Sequence, residues 1–127
     1  MEPPLLLSPF RLPGSAYAEV FERGRTQVCA TMVMRWRPNG LAKSRIGVVT
    51  AKRTLRLAVE RSRARRLMRE AFRLERPQLR PGVDVVLIAR RKLLEGDCAR
   101  TRRDLLWLWR KSALLAAQAG GKAGAQA

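Results

Sequence analysis

A run of arginines with regular spacing constrains this chain more than any other feature. Residues 59–76 contain ten charged side chains, seven of them arginine. On a helix that turns by ~100° per residue, the apolar residues fall on one side: Ala64, Leu67, Met68, Ala71 and Phe72. Roughly opposite lies a ridge of arginines at four-residue spacing, formed by Arg61, Arg65, Arg69 and Arg73. Arg66 and Arg76 lie beside this ridge. The pattern predicts a helix that buries one side and presents guanidinium groups on the other.

The charges of this helix are poorly balanced. Between Arg61 and Arg73, Glu70 is the only acid, and one carboxylate is too little to neutralise the ridge. Like charges four residues apart repel each other by a few tenths of a kcal/mol, and a helix face that is merely solvated usually mixes its signs. Arginine also binds phosphate through two parallel hydrogen bonds. The run therefore indicates a surface that binds a polyanion.

Composition narrows the class of partner. The 127 residues fit one domain, and 27 basic residues against 10 acidic ones give a net charge of +17. Such a charge attracts nucleic acid or an anionic membrane surface. No stretch approaches the roughly 20 apolar residues that cross a bilayer, and the first residues lack the features of a signal peptide. We expect a cytoplasmic protein whose partner is nucleic acid and not a membrane.

The residues that usually perform catalysis or bind metals are missing or scattered. The chain has no histidine, and its carboxylates form no close cluster. Cys29 and Cys98 match no zinc or redox spacing, so we expect two reduced, packed cysteines, Cys29 within a strand and Cys98 at a helix start. No nucleophile motif and no phosphate-binding glycine loop is present. The sequence therefore predicts neither a catalytic residue nor a metal ligand in this protein.

Periodicity and turn residues predict the order of elements as helix, two or three strands, helix, strand, helix. The predicted helices are 15–24, 59–76 and about 98–117, the last with Asp97 as its N-cap; the predicted strands are 28–36, 44–51 and 83–89. In the last helix, Leu105, Leu108 and Trp109 form the inner stripe and Arg102 points elsewhere. The strand 83–89 is apolar enough to be covered on both faces. We expect an α/β chain of the two-layer (α+β) kind.

The same reading divides the chain into three parts. Residues 1–13 form an extended N-terminal segment, residues 14–117 a single RNA-binding α/β domain, and residues 118–127 a flexible tail of alanine and glycine.

Within the first predicted helix, Tyr17 and Phe21 are four residues apart and share a face. Taken alone, an aromatic pair at that spacing belongs more often to a core than to a binding site.

Three stretches taken together resemble a known family. They are Y-A-E-V-F-E-R-G from Tyr17, R-I-G-V-V-T-A-K-R from Arg45, and R-S-R-A-R-R-L-M-R-E-A-F-R from Arg61. The last is similar to the R-N-R-x-K-R-x-x-R-E-x-F-R signature of the bacterial ribonuclease P protein component. The resemblance covers roughly residues 10–112 in the same order.

The resemblance implies both an activity and a fold. The activity is that of an endonuclease in which a catalytic RNA, using bound Mg²⁺, removes the 5′ leader of precursor tRNA. One basic protein assists one RNA subunit. The implied fold is a four-stranded sheet with three helices, similar to the second domain of ribosomal protein S5. Its strand–helix–strand crossover is left-handed, whereas general rules favour a right-handed one in about 98% of cases.

The resemblance also assigns roles to residues. The positions that match the family's contacts to the RNA subunit are Arg61, Ser62, Arg63, Arg65, Arg66 and Arg69, with Ser62 standing where the motif has asparagine. Lys52 and Arg53 match a basic pair at the end of the central strand, close to the same surface. Tyr17 and Phe21 match aromatic residues that line the cleft for the single-stranded leader, so the resemblance favours a binding role for this pair.

Two other functions remain open from the residues alone. A structural or chaperone-type RNA-binding protein would need the same charge but no cleavage partner. A stand-alone nuclease is the weaker alternative, because the chain lacks histidine and its acids are scattered. Preference for precursor over mature tRNA in the presence of the RNA subunit would separate the first alternative from a ribonuclease P subunit.

Overall fold

The computed structural model describes residues 10–116 and contains three α-helices and four strands. In chain order they are α1 Gly14–Arg23, β1 Arg25–Val28, β2 Met32–Pro38, β3 Arg45–Val49, α2 Ala58–Glu75, β4 Val83–Ala89 and α3 Cys98–Lys111. Short 3₁₀ helices follow α2 at Arg76–Gln78 and β4 at Arg91–Glu95. The predicted α+β architecture with three helices and a four-stranded sheet is confirmed, but helices cover both faces of the sheet, so the prediction of only two layers is wrong.

The sheet is mixed, and its strands lie in the order β1-β2-β4-β3. β1 and β4 each pair with β2 in antiparallel fashion, whereas β3 and β4 are parallel neighbours joined through α2. The resemblance placed the basic pair Lys52 and Arg53 after a central strand. That expectation is wrong, because these residues follow β3, an outer strand of the four. The left hand of the β3–α2–β4 crossover stays a prediction.

The main core lies between the sheet and the two longer helices. The five apolar residues predicted for the inner side of α2 are all buried. Phe72 meets Trp109 of α3 edge to face, with ring centroids 6.3 Å apart. Arg102 of α3, expected to point elsewhere, donates instead to the buried carboxylate of Glu75 over 2.6 Å. The two helices are thus fixed to each other by an aromatic contact and an ion pair.

The other face of the sheet carries α1 and the segment before it. Val20 of α1 and Leu12 are buried there against Val86 of β4. The amide of Leu12 donates to the carbonyl of Ile46 over 2.8 Å, and Arg11 forms a bridge with the same residue of β3. The described end of the N-terminal segment therefore covers the outer edge of β3. Residues 1–9 and the predicted tail 118–127 lie outside the described residues.

The strand predicted for residues 28–36 is wrong as a single element. Val28 ends β1, residues 29–31 form a turn, and β2 begins at Met32. The amide of Cys29 donates to the carbonyl of Met32 over 3.0 Å and closes the hairpin, so Cys29 lies in a turn and not in a strand. Because this turn contains neither glycine nor proline, it leaves no local signal in the sequence.

The last helix ends at Lys111 and not at residue 117. Ala113 adopts a left-handed conformation with φ of 60°, which reverses the chain and buries Leu114. The amide of Arg80 then donates to the carbonyl of Leu114 over 2.8 Å. At the other end of α3 the prediction is confirmed, because Asp97 accepts a 3.0 Å hydrogen bond from the amide of Arg100.

Candidate nucleic-acid interface

The arginine surface consists of the six predicted residues on α2: Arg61, Ser62, Arg63, Arg65, Arg66 and Arg69. Three of its guanidinium groups are held by neutral acceptors. Arg61 donates to the carbonyls of residues 55 and 56 over 2.9 and 3.0 Å, Arg63 to the carbonyl of Gly96 over 2.8 Å, and Arg65 to the hydroxyl of Thr50 over 3.0 Å. These bonds orient the groups without cancelling their charge, while Arg66 and Arg69 remain exposed.

The acids of α2 are engaged in three separate ion pairs. Glu60 pairs with Arg91 at 2.9 Å and Glu75 with Arg102 at 2.6 Å, so both neutralise cations from outside the helix. Glu70 pairs with Arg73, and the hydrogen bond from that guanidinium holds the pKa of Glu70 below its ordinary value. Arg73 is therefore neutralised, whereas the sequence placed it in the charged ridge with Arg61, Arg65 and Arg69.

Arg69 lies where the arginine surface meets the N-terminal segment and α1. The pKa of Arg69 lies below the ordinary arginine value because the group is partly desolvated and because Arg65 and Arg11 are close to it. Tyr17 of α1 lies close to Arg69 as well. A bound phosphate would relieve the repulsion within this cluster of arginines. Sequence reasoning missed Arg11, whose position depends on the bridge to β3.

Tyr17 lies over the backbone of β3 at Gly47. A Cβ atom added to Gly47 would lie 2.2 Å from the Tyr17 hydroxyl oxygen and 2.5 Å from the adjoining ring carbon. Only glycine therefore allows the ring this close to the strand. Tyr17 is thus the group that closely approaches the strand at Gly47.

Phe21 is held at the end of α1 by Arg35 of β2. Nη2 of Arg35 donates to the carbonyls of Phe21 and Gly24 over 2.6 and 3.4 Å, and Nη1 donates to the hydroxyl of Thr26 over 2.7 Å. The guanidinium carbon lies 5.7 Å from the centre of the Phe21 ring. Because 40% of Phe21 stays exposed, it can contact a ligand and also pack on the domain.

An apolar row crosses the sheet on the same face as Tyr17. Its members pair side by side across all four strands: Val28, Val33, Ile88 and Val49. Val28 is exposed and the other three are half-buried, so α1 leaves this row partly open. With strands about 4.8 Å apart, the row is about 14 Å long. We call this row together with Tyr17 and Phe21 the leader cleft, after the role that the resemblance implies for the two rings.

Lys52 and Arg53 are exposed in the turn between β3 and α2. They are thus at the start of α2, where Arg61 donates hydrogen bonds to the carbonyls of residues 55 and 56.

Within residues 10–116, no three histidine, cysteine or acidic side chains come together as a metal site. Over the same range no helix is both long and apolar enough to cross a membrane.

A family model and individual related proteins both match this chain, and they agree on its family. The ribonuclease P family model matches residues 12–113. The chain belongs to the ribonuclease P protein family. A ribonuclease P protein component from Idiomarina loihiensis is 42% identical over 86 residues, which are 68% of each chain. One from Chromohalobacter salexigens is 38% identical over 101 residues, covering 79% of this chain and 78% of the relative.

Solved structures of the family share the fold. The ribonuclease P protein from Thermotoga maritima matches with a TM-score of 0.70 and 31% identity, over 79% of this chain and 96% of that one. A mutant ribonuclease P protein from Staphylococcus aureus matches with a TM-score of 0.76 at 18% identity, over 87% and 94%. The chain has the role of a ribonuclease P protein component in tRNA processing, and the structural or chaperone-type alternative is not favoured.

The contact between Tyr17 and Gly47 predicts a specific loss of stability. Gly47→Ala should lower the free energy of unfolding by about 1–3 kcal/mol, because the added methyl group overlaps the ring. Urea unfolding measures this change. In a Tyr17→Ala background the penalty of Gly47→Ala should largely disappear.

Gly14→Ala is the matched control for this prediction. A Cβ atom at Gly14, the first residue of α1, meets nothing within 4 Å. Its substitution should leave the free energy of unfolding unchanged or slightly raised. An equal penalty for Gly47→Ala with and without the Tyr17 ring would contradict the packing described here.

Proposed function

We propose that the protein binds the RNA subunit of ribonuclease P through the arginine surface and holds the 5′ leader of precursor tRNA in the leader cleft. The RNA subunit cleaves the phosphodiester bond with bound Mg²⁺, and one protein assists one RNA. The observation that carries this proposal is the junction at Arg69, where unneutralised arginines adjoin Tyr17 of the cleft. The arginine surface then offers charge to the RNA subunit, and the leader cleft offers stacking surface to the leader, so that the two RNA strands meet near Arg69.

The electrostatics of α2 support the first half of the proposal. Residues 43–76 carry twelve basic side chains and three acids. Two of those acids, Glu60 and Glu75, pair with arginines outside the segment, and the third pairs with Arg73. The exposed guanidinium groups of Arg66 and Arg69 are therefore left for an external anion. Folded RNA supplies phosphates at the density that such a row requires.

The leader cleft supports the second half. Leaders of different precursor tRNAs differ in sequence, so a general site has to bind bases without reading their edges. Aromatic rings do this by stacking, at roughly 1–3 kcal/mol per base. Tyr17 and Phe21 offer two rings on one face of α1, and the apolar row continues the surface across the sheet. The cleft contributes contact area and little hydrogen-bonding specificity.

The protein contributes to hydrolysis by binding and positioning. Holding the leader and the RNA subunit together places the scissile phosphate at the catalytic RNA, which converts a bimolecular encounter into an ordered complex. The cations of the arginine surface replace counterions that would otherwise screen the closely packed phosphates. We assign the Mg²⁺ ions mainly to the RNA, since the acidic side chains near α2 are already occupied by arginines.

Reconstitution tests the proposal as a whole. The protein is combined with a bacterial ribonuclease P RNA, and removal of the leader from precursor tRNA is measured over a range of Mg²⁺ concentrations. We expect the protein to raise cleavage most strongly at low Mg²⁺, because it supplies part of the neutralising charge. The protein without RNA serves as the control and should leave the substrate intact. Cleavage that the protein does not raise above RNA alone would refute the proposal.

Removing two exposed cations from the arginine surface should weaken assembly with the RNA subunit. In Arg66→Ala with Arg69→Ala, the slope of log affinity against log salt should fall by about 1.4 to 1.8, since each phosphate contact contributes roughly 0.7 to 0.9. Filter binding at several salt concentrations measures the slope. Arg23→Ala on α1 removes one exposed cation elsewhere and should change the slope by much less. Equal slopes for the double variant and the unaltered protein would argue against docking through α2.

Removing both rings of the leader cleft should affect substrate binding and spare assembly. Tyr17→Ala with Phe21→Ala should weaken binding of a precursor tRNA with a long leader by at least about tenfold, because two stacking contacts are lost. Affinity for mature tRNA should stay the same, and so should affinity for the RNA subunit. Phe21→Ala alone separates folding from binding. Because 40% of Phe21 is exposed, its loss should disturb folding less than it disturbs binding. If precursor and mature tRNA lost affinity equally, the cleft would not be the leader site.

A further inference from the structure

The outward side of α3 carries a second group of cations around an aromatic ring. Arg103, Arg110 and Lys111 are exposed and Trp107 is half-buried, whereas Leu105, Leu108 and Trp109 of the same helix are buried. We call the outward group, Arg103, Trp107, Arg110 and Lys111, the α3 outer surface. Nζ of Lys111 lies 5.7 Å from the centre of the Trp107 ring, so the ring already has a cation over its face.

The charge of the α3 outer surface is not neutralised from within. Throughout residues 10–116, Arg103, Arg110 and Lys111 form no ion pair with a carboxylate. The one acid on the neighbouring side of α3, Asp104, accepts a 2.6 Å hydrogen bond from Thr31 and lies 3.9 Å from Arg100. A face that is merely solvated would normally mix its signs. This face is cationic on both sides of its tryptophan.

The α3 outer surface is separate from the interface described above. α3 packs on α2 through Trp109, which meets Phe72, and through Arg102, which pairs with Glu75. Positions two residues apart on a helix are rotated by about 200°, so Trp107 lies on a different side of α3 from Trp109. Its half-buried ring packs in part against the core, and the remainder stays accessible. An RNA docked on the arginine surface would leave this tryptophan uncovered.

We infer that the α3 outer surface binds a single-stranded RNA segment, with a base stacked on Trp107 and neighbouring phosphates contacted by Arg103, Arg110 and Lys111. The pairing of one aromatic face with flanking cations suits a nucleotide, which carries a flat base next to an anionic phosphate. An acidic peptide would use the cations but not the ring. The inference goes beyond the proposed function, because that function uses neither the α3 outer surface nor an RNA segment other than the RNA subunit and the leader.

Tryptophan fluorescence gives a readout specific to this surface. The chain has three tryptophans, and Trp36 and Trp109 are 8% and 0% exposed, so Trp107 is the one that a ligand can reach. A stacked base quenches indole emission. The full chain, saturated with ribonuclease P RNA, is titrated with a short oligouridylate. We expect saturable quenching that weakens as salt is added. An abasic oligonucleotide of equal length should bind about 5- to 100-fold more weakly, because it has charge but no base to stack.

Variants decide whether the contact is the one inferred. Trp107→Phe keeps a ring and should keep binding, followed by anisotropy of a labelled oligonucleotide, while the quenching disappears. Arg103→Gln with Lys111→Gln should lower the salt slope of oligonucleotide binding, read by the Trp107 signal, by about 1.4. Arg23→Gln with Lys92→Gln removes two exposed cations elsewhere and should leave that signal unchanged.

Three results would overturn the inference. The first is the absence of saturable Trp107 quenching by oligouridylate. The second is quenching that is unchanged when Arg103 and Lys111 are both neutralised. The third is equal binding of the abasic oligonucleotide or of polyglutamate, which would make the α3 outer surface a general polyanion or acidic-peptide site. None of these readouts depends on leader cleavage, so a failed reconstitution and a failed α3 inference are distinguishable.

Discussion

The one-sided burial of α2 is the interaction on which the rest of this structure depends. Its apolar side packs between the sheet and α3, with Phe72 against Trp109 at the centre. Fully burying a side chain of that size contributes about 1.5–3 kcal/mol, whereas each repulsion between arginines four residues apart costs only a few tenths. The core therefore fixes the helix in spite of its charges. Since Glu60 and Glu75 pair outside α2, that repulsion stays available for a bound anion to relieve.

Elements with one strong periodicity could be predicted from the sequence, and elements that end without a local signal could not. α2 and β4 were predicted to within one residue, because α2 has a clear 3.6-residue stripe and β4 is a short apolar run, rich in valine, that follows a Pro-Gly turn. The β1–β2 hairpin was missed because Val28 and Cys29 continue an apolar run into the turn. The end of α3 was missed because Ala113 reverses the chain where glycine would be usual, inside a stretch that favours helix.

The candidate site divides in a similar way. The arginines of α2 were predicted from their spacing on one helix. A binding role for Tyr17 and Phe21 was predicted only from the family's motif, since spacing alone favoured a core pair. Arg11 and Arg35 were missed, because their roles arise from contacts between distant parts of the chain. Arg11 reaches Arg69 through a bridge to β3, and Arg35 reaches Phe21 from β2. The apolar row across the sheet was missed for the same reason, because it exists only once all four strands are in register.

The sequence suggested two separate surfaces, and the structure joins them at Arg69 and Tyr17. This continuity matters for the proposed mechanism. In that mechanism, a leader that leaves the apolar row next to Tyr17 would come close to Arg65, Arg69 and Arg11, and its phosphates would offset the repulsion between these arginines. Stacking would set the position of the leader, and charge would set the affinity of both RNA strands. Arg69 would belong to both sets of contacts, so its loss should affect assembly and leader binding together, whereas the loss of Arg66, which belongs to the arginine surface alone, should affect assembly alone.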